Sequence, residues 1–358
     1  MIPKSEILTL TQIQGIGSSK INQIITSFRE CESILNLSLS DICSLDGISK
    51  DTAKSILKGD FDAGKLQLEK ITSLDCNYVT ILDEDYPRHL KNIYQSPVGI
   101  ITRGNVNFEK NIAIVGTRNM SPYGRKICAK ITAELVRDGF AIISGFARGI
   151  DTVSHKTTLE NNGHTVGVLG CGIDVVYPKE NKSLYRTMWQ QAGFVSEFLP
   201  GTIPDARNFP KRNRIISGMT LGTIVIEAGR KSGAILTAFN ALDQNREVFA
   251  VPGRIDSNRS DGCNYLIKQG AKLIVGIDDI LNEFSYLKKT NKSEQTVLLH
   301  EFNEEEKMIY DLLSHDPIHI DDLSKSANMT SPKISSILLN LELKNTVIQL
   351  PGKLFQKQ

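Results

Sequence analysis

The chain of 358 residues is predicted to be an α/β protein, a doubly wound parallel sheet flanked by an N-terminal all-α module and a C-terminal winged helix. Three observations predict this class. A glycine-centred helical repeat occupies the first 75 residues, a series of short apolar runs that lead into helical patterns fills the centre, and three helical patterns followed by a short hairpin close the chain. The length suits two or three domains at roughly 150 residues each, and 40% apolar residues suffice for ordinary cores.

The N-terminal module, residues 1–75, rests on a repeat. Ile13-Gln14-Gly15-Ile16-Gly17 and Leu45-Asp46-Gly47-Ile48-Ser49 align at an offset of 32 residues, each followed by an apolar helical pattern, Ile21/Ile24/Ile25 and Ala53/Ile56/Leu57. A helix, a glycine turn and a second helix are thus written twice. In a helix-hairpin-helix the glycine permits positive φ and the amides opening the second helix can hold a DNA phosphate. Plain packing uses the same turns, and neither hairpin is rich in Lys or Arg, so the module's function stays open.

The central domain, residues 76–284, is read from its strands. Ile112–Val115 ends at Gly116, Ala141–Ser144 at Gly145, and Thr165–Leu169 at Gly170. Phe194–Ser196 ends at Glu197, Thr223–Ile226 at Glu227, and Val248–Val251 at Pro252-Gly253. Short Val/Ile runs alternating with helices mean parallel strands buried on both faces. Ligands of such sheets bind beyond the carboxyl ends of the strands, which here carry Gly116, Gly145, Gly149, Gly170, Gly172 and Gly253. Residues 285–302 begin polar and Lys-rich and read as a linker. The third domain, 303–358, opens with an acidic helix start at Glu304–Glu306 and ends in the hairpin Val347–Leu350, Pro351-Gly352, Leu354-Phe355. Its expected recognition helix, Ser331–Leu341, has Lys333 as its one basic residue, so protein contact is as good a reading as DNA contact.

Composition excludes several classes. No apolar run approaches the roughly 20 residues of a membrane span, and MIPKSEILTL has no apolar signal region, so an intracellular protein without membrane contact is expected. Six scattered cysteines without a C-x-x-C pair argue against disulfides and structural zinc. Six histidines show no metal-ligand spacing, and no metal is expected. With 42 basic and 40 acidic residues, nucleic-acid affinity has to come from local clusters.

Two loops and one cluster stand out. Gly116-Thr117-Arg118-Asn119-Met120-Ser121-Pro122-Tyr123-Gly124 follows the first central strand but lacks G-x-G-x-x-G, and the next strand ends in Ser144-Gly145 rather than an acid, which disfavours NAD. A Walker motif is absent too. What remains is an anion site of helix-end amides, the Thr117 and Ser121 hydroxyls and the Arg118 guanidinium. Gly145-Phe146-Ala147-Arg148-Gly149-Ile150-Asp151 repeats this logic after the second strand, with Asp151 as an expected helix cap. The sharpest cluster, Arg207-Asn208-Phe209-Pro210-Lys211-Arg212-Asn213-Arg214, sets four basic residues against Asp205. Phosphate contacts interleaved with a stacking aromatic are how single strands are bound, whereas a solvated basic helix start would not explain Phe209. Glu227 reads equally as a catalytic carboxylate, as a partner of Arg230 or as a turn cap.

The segments GTRNMSPYG, ISGFARGID, GCGIDVVYPKEN, FPKRNRIISG, EAGRKSGAILTA, VPG and DGCNYLIKQGA, in this order, resemble the DNA processing protein A (DprA/Smf) family over about Tyr78 to Phe284. The resemblance implies an extended Rossmann-like domain with a sterile-alpha-motif-like N-terminal module and a winged helix. It further implies a cytoplasmic homodimer that binds and protects incoming single-stranded DNA and loads the RecA recombinase on it, in natural transformation and homologous recombination. Carried over to this chain, it implies DNA contacts at Gly116, Thr117, Arg118, Ser121, Gly145, Arg148, Gly149, Lys179, Phe209, Lys211, Arg212, Asn213 and Arg214. No catalytic residue, cofactor or metal follows. Thr117 stands where serine is frequent, which keeps the hydroxyl. One alternative is a nucleoside-monophosphate-binding enzyme akin to phosphoribohydrolases, for which Gly222-Thr223-Ile224-Val225-Ile226-Glu227 lacks the preceding Pro-Gly-Gly and sets the Glu one residue late. Another is a winged-helix transcription regulator with a ligand-sensing α/β domain, which the nearly uncharged recognition helix disfavours.

Overall fold

The computed structural model describes residues 2–285, 302–314, 317–344, 346–350 and 352–357. They form two compact units, one on either side of 286–301. The expected linker therefore lies outside the described residues apart from Ser285 and Phe302 at its ends.

Five helices open the first unit: α1 (Lys4–Gln12), α2 (Ser18–Ser27), α3 (Leu39–Cys43), α4 (Lys50–Leu57) and α5 (Phe61–Ser73). The glycine turns fall where the repeat sets them, with φ of 82° at Gly15 and 73° at Gly47, a region that disfavours side chains. Ser38, Ser49 and Asp60 start α3, α4 and α5 by accepting hydrogen bonds from backbone amides three residues on. The apolar faces of the helices, including Ile7, Leu8, Ile21 and Ile25, share one core with Tyr78, Ile101 and Phe194 of the sheet and with Val98 just before β2. Lys4 also pairs with Asp83 at 2.9 Å, and Asn22 donates to the Ser96 carbonyl. In space, the module and the sheet are a single compact unit.

The sheet begins with β1 (Asn77–Thr80) and β2 (Gly99–Arg103), joined through α6 (Arg88–Lys91). It continues with β3 (Asn111–Val115), α7 (Pro122–Arg137), β4 (Ala141–Ser144), α8 (Ile150–Glu160), β5 (Thr165–Leu169), α9 (Lys182–Gln191) and β6 (Gly193–Ser196). Then come α10 (Asn208–Gly218), β7 (Gly222–Val225), α11 (Gly233–Asp243), β8 (Glu247–Ala250), α12 (Asp261–Lys268), β9 (Lys272–Leu273) and α13 (Asp278–Leu281). The strand order is β1-β2-β6-β5-β4-β3-β7-β8-β9. Strands β3 to β8 are the six read from sequence, each within one residue of its expected bounds, and they pair in parallel. The three further strands lie at the edges: β2 runs antiparallel to both β6 and β1, and β9 is two residues long. None of these carries the strand–glycine–helix signature that marks the centre.

From β3 the chain steps outward through β4, β5 and β6, then returns to β7 on the other side of β3. The loops after β3 and β7 therefore diverge at a switch point, with the loop after β4 beside them, and there an open sheet forms its ligand crevice.

The second unit is a winged helix: α14 (Glu304–Leu312), β10 (Ile318–His319), α15 (Ile320–Ala327), α16 (Ser331–Leu343), β11 (Val347–Leu350) and β12 (Leu354–Lys357). Its strands are ordered β10-β12-β11 over a core of Ile309, Leu323, Ile334, Leu338 and Phe355. Asn303 and Glu306 form a capping box at α14. Lys333 of α16 pairs with Glu305. Among the described residues no helix is long and apolar enough to cross a membrane, and no group of three His, Cys, Asp or Glu could hold a metal ion.

Candidate functional site

A cleft of about 810 Å³ lies over the switch point, and a smaller cavity of about 330 Å³ adjoins it. Arg118, Ala147, Tyr177, Phe209 and Arg212 line both. The larger is walled by Arg118, Arg212, Arg230 and Lys231 against the single carboxylate of Asp151. A chain nearly neutral as a whole thus concentrates positive charge at one place, the arrangement that attracts anions.

Glycines bring the loops together. Gly149 has a φ of 80°, and a Cβ there would stand 2.2 Å from the Thr117 carbonyl oxygen and 2.8 Å from Arg118 Cα. The loops after β3 and β4 touch backbone to backbone, and the Ile150 amide donates to the Thr117 carbonyl at 3.2 Å. At Gly145 a Cβ would meet Arg212 Nη2 and Asp151 Oδ2, each at 2.8 Å. Its absence makes room for a buried charge pair.

That pair forms the inner wall. Arg212 is 4% exposed, and its Nη1 donates to the Gly145 and Val168 carbonyls. Burial pulls its guanidinium down to about 10, an effect the neighbouring Asp151 opposes, so it stays charged at neutral pH. Asp151 accepts a hydrogen bond from the Ala147 amide at 3.2 Å, and burial raises its carboxyl above the usual range while Arg212 pulls the other way. It lies inside α8, whose N-cap is Gly149, so its role is to face Arg212 rather than to cap the helix. Behind it His155 is fully buried against Thr165 and the Phe146 ring, and burial pushes it down to about 3. It is neutral. Cys171, which lines the smaller cavity, is pushed up by burial to about 11 and holds no thiolate at neutral pH.

Phe209 stands half-buried between the two cavities. Its ring covers Gly170, where a Cβ would come within 2.7 Å, and its centroid is 5.6 Å from that of Tyr177. The Arg118 and Arg212 guanidiniums lie 5.4 and 5.9 Å from the same centroid. An aromatic face flanked by two cations suits a base and its neighbouring phosphates.

The structure sorts the sequence-predicted residues. Gly116, Thr117, Arg118, Phe209, Arg212 and Asn213 line the cleft, and Gly145 and Arg148 line the smaller cavity. Arg148 is exposed and pairs with Glu180 at 3.2 Å. Gly149 acts through the loop contact just described. Lys179 is exposed at a one-turn 3₁₀ helix and lines neither cavity.

Ser121 departs from expectation. Its hydroxyl accepts from the Gly124 amide as the cap of α7, and its own amide donates to Glu227 Oε2 at 2.8 Å. The start of α7 already holds the protein's own carboxylate, so no anion from outside is needed there. The same contact accounts for Glu227, which is 6% exposed, lines neither cavity and accepts from the amide at the start of α7.

The basic run does not form one patch either. Helix α10 turns its members to different sides, which a reading by local charge does not anticipate. Arg207 pairs with Asp205, Arg212 is buried in the wall, Arg214 pairs bidentately with Glu197, and Lys211 and Arg214 line a different cavity. Tyr177, Asp151, Arg230 and Lys231 were not singled out for the site, although Gly229-Arg230-Lys231-Ser232-Gly233 follows β7 as the Arg118 loop follows β3. That parallel was the available signal.

Comparison with known proteins gives the family. The model described as DNA recombination-mediator protein A matches residues 77–285, the DprA winged helix domain matches 294–353, and a SAM-like helix-hairpin-helix tandem matches 7–59. DNA processing protein DprA of Streptococcus pneumoniae is 43% identical over 209 residues, covering 58% of this chain and 74% of that protein. Protein Smf of Escherichia coli is 35% identical over 277 residues, covering 75% of this chain and 74% of that protein. The solved structure of the pneumococcal protein aligns with a TM-score of 0.70 at 35% identity, covering 78% of this chain and 98% of that one. That of Helicobacter pylori DNA processing protein A, described for its single-stranded DNA binding mode, aligns at 0.53 and 27% identity, covering 59% and 96%. With its central domain matched over more than half its length and both flanking modules in place, the chain belongs to the DNA processing protein A (DprA/Smf) family.

Proposed function

We propose that this protein binds single-stranded DNA in the cleft over the switch point and acts as a non-catalytic mediator of DNA processing. The observation that carries the reading is the Phe209 ring, half-buried between the Arg118 and Arg212 guanidiniums at 5.4 and 5.9 Å. A base stacks on the exposed part of the ring while phosphates on either side meet Arg118, Arg230 and Lys231. The buried Arg212 holds the wall and supplies field rather than a mobile contact. Of the expected contacts, Gly116, Thr117, Gly145 and Gly149 shape the loops, and Arg148 extends the rim. The single-strand binding named for the Helicobacter pylori relative supports this reading.

The same reading carries the family's wider role, in a homodimer that protects incoming DNA in the cytoplasm and hands it to the RecA recombinase during natural transformation. What weighs against the phosphoribohydrolase alternative is Glu227, whose carboxylate is spent on the Ser121 amide. The test is anisotropy of a labelled single-stranded oligonucleotide across a salt series, with a duplex competitor. Wild type is expected to prefer the single strand, and Arg118→Ala to bind roughly tenfold more weakly, with the salt slope reduced by about 0.7 for one lost phosphate contact. Release of free base from a nucleoside monophosphate, abolished by Glu227→Gln, would overturn the reading.

A further inference from the structure

We propose that the crevice between the first helical hairpin and the sheet takes one nucleotide of a DNA strand leaving the main cleft, an inference that rests on the function proposed above. Helix α10 connects the two places. Phe209, Arg212 and Asn213 line the main cleft, whereas Lys211 and Arg214, on the same helix, line a second cavity of about 560 Å³ whose other walls come from α1, α2, β1, β2 and the loop after β6. A strand passing Phe209 reaches Lys211 by rounding the start of α10.

The second cavity holds unused donors. Arg214 makes both its contacts to Glu197 through Nη2, at 2.5 and 2.6 Å, and its buried Nη1 has no hydrogen-bond partner. Tyr78, only 6% exposed, lines the same cavity, and its buried hydroxyl has no partner either. A buried polar group left unsatisfied costs about 1–3 kcal/mol. Both donors belong to residues that line this one cavity, and the Tyr78 hydroxyl lies over Gly99 in the same wall, so both sit just behind its surface, where a polar occupant that draws them out would satisfy them. Helix α2, ten residues long, begins here at Ser18 with no side-chain cap and no acidic residue in its first turn. Its positive end and the exposed Lys211 favour a phosphate.

The mixture selects a nucleotide over a bare anion. An inorganic anion deep in the cavity would meet the Glu197 carboxylate, which also lines it. A nucleobase edge presents acceptors to Arg214 Nη1 and the Tyr78 hydroxyl and a donor to Glu197, and its faces suit apolar walls such as Ile16 and Val98. Lys211 then meets the attached phosphate at the mouth.

The experiment compares single-stranded oligonucleotides of about 4 and about 16 nucleotides, spanning the usual range of single-strand sites, on the full chain. Lys211→Ala is expected to reduce the salt slope by about 0.7 for the long oligonucleotide and to leave the short one unchanged. Tyr78→Phe is expected to weaken the long oligonucleotide about threefold to tenfold without changing the slope, while its thermal melt without DNA lies above that of wild type, since the unsatisfied hydroxyl is gone. If Arg118→Ala weakens both lengths but Lys211→Ala and Tyr78→Phe match wild type on both, the crevice holds only ordered water and the inference falls while the main cleft stands. If wild type binds neither length, the functional reading itself falls and takes the inference with it. Calorimetry with a deoxynucleoside monophosphate separates the remaining source: binding lost in Tyr78→Phe with strand affinity unchanged would make this a site for free nucleotide and overturn the strand path.

Discussion

The inner wall of the cleft and its rim carry the same kinds of residue and do different work. In the wall, Arg212, Asp151 and His155 are nearly inaccessible: Arg212 Nη1 donates to the Gly145 and Val168 carbonyls, Asp151 accepts from the Ala147 amide, and His155 bonds Thr165 through Nδ1 while its buried Nε2 has no partner. On the rim, Arg118 and Arg148 are exposed. A buried charge is fixed by the protein and is costly to disturb, whereas an exposed one is available to a ligand and screened by salt. Wall substitutions should therefore act on stability and rim substitutions on affinity.

The hardest test of that division is Arg212→Ala. It strands the Asp151 carboxylate in a buried site and is expected to cost about 3–5 kcal/mol in urea unfolding, with Arg212→Lys failing to rescue because one ammonium cannot reproduce the forked contacts. A loss of DNA affinity with no loss of stability would move Arg212 to the rim. Next comes the pH dependence of the wall. His155 holds about 3 in the folded chain against about 6.5 unfolded. Between those values the unfolded chain binds the extra proton, so the stabilisation is complete above pH 6.5 and is lost as pH falls toward 3. Asp151, raised by burial, takes up its proton early in the folded state and partly offsets the loss. In His155→Gln the acid-side decline measured by urea melts should shrink by roughly 4–5 kcal/mol; an unchanged profile would remove His155 as its source.

Phe209 sits on the boundary. Phe209→Ala is expected to cost about 1–3 kcal/mol of single-strand affinity with the salt slope intact, the opposite signature from Arg118→Ala, and a changed slope would mean that the ring only positions Arg118. Ser121→Ala sharpens the comparison at its smallest scale. Losing the α7 cap should cost about 1 kcal/mol of stability and leave oligonucleotide binding unchanged, whereas weakened binding would return Ser121 to the interface.

These residues also show where reading the chain succeeded. The six central strands were legible to within one residue because a strand buried on both faces must be continuously apolar and must end where the chain turns to a helix. The two hairpins were legible because only glycine relieves the positive φ at Gly15 and Gly47. Strands β1 and β2 were not, since an antiparallel pair near the sheet edge, joined through the one-turn helix α6, lacks that pattern. The basic run from Arg207 to Arg214 was legible as a cluster and misleading as a patch, because charge along a sequence does not say which way a helix will turn each side chain.

The sequence by itself determined the class of fold, the strand-end glycines and the family, since each depends on local conformational limits and on ordered motifs. Only the tertiary structure decided the partners of each charge: Glu227 at the start of α7, Asp151 facing Arg212 across Gly145, and Glu197 holding Arg214. The reason is physical. A residue's φ/ψ preferences are its own, but the worth of a charge depends on burial and on neighbours that are distant in the chain and adjacent only once the sheet has formed.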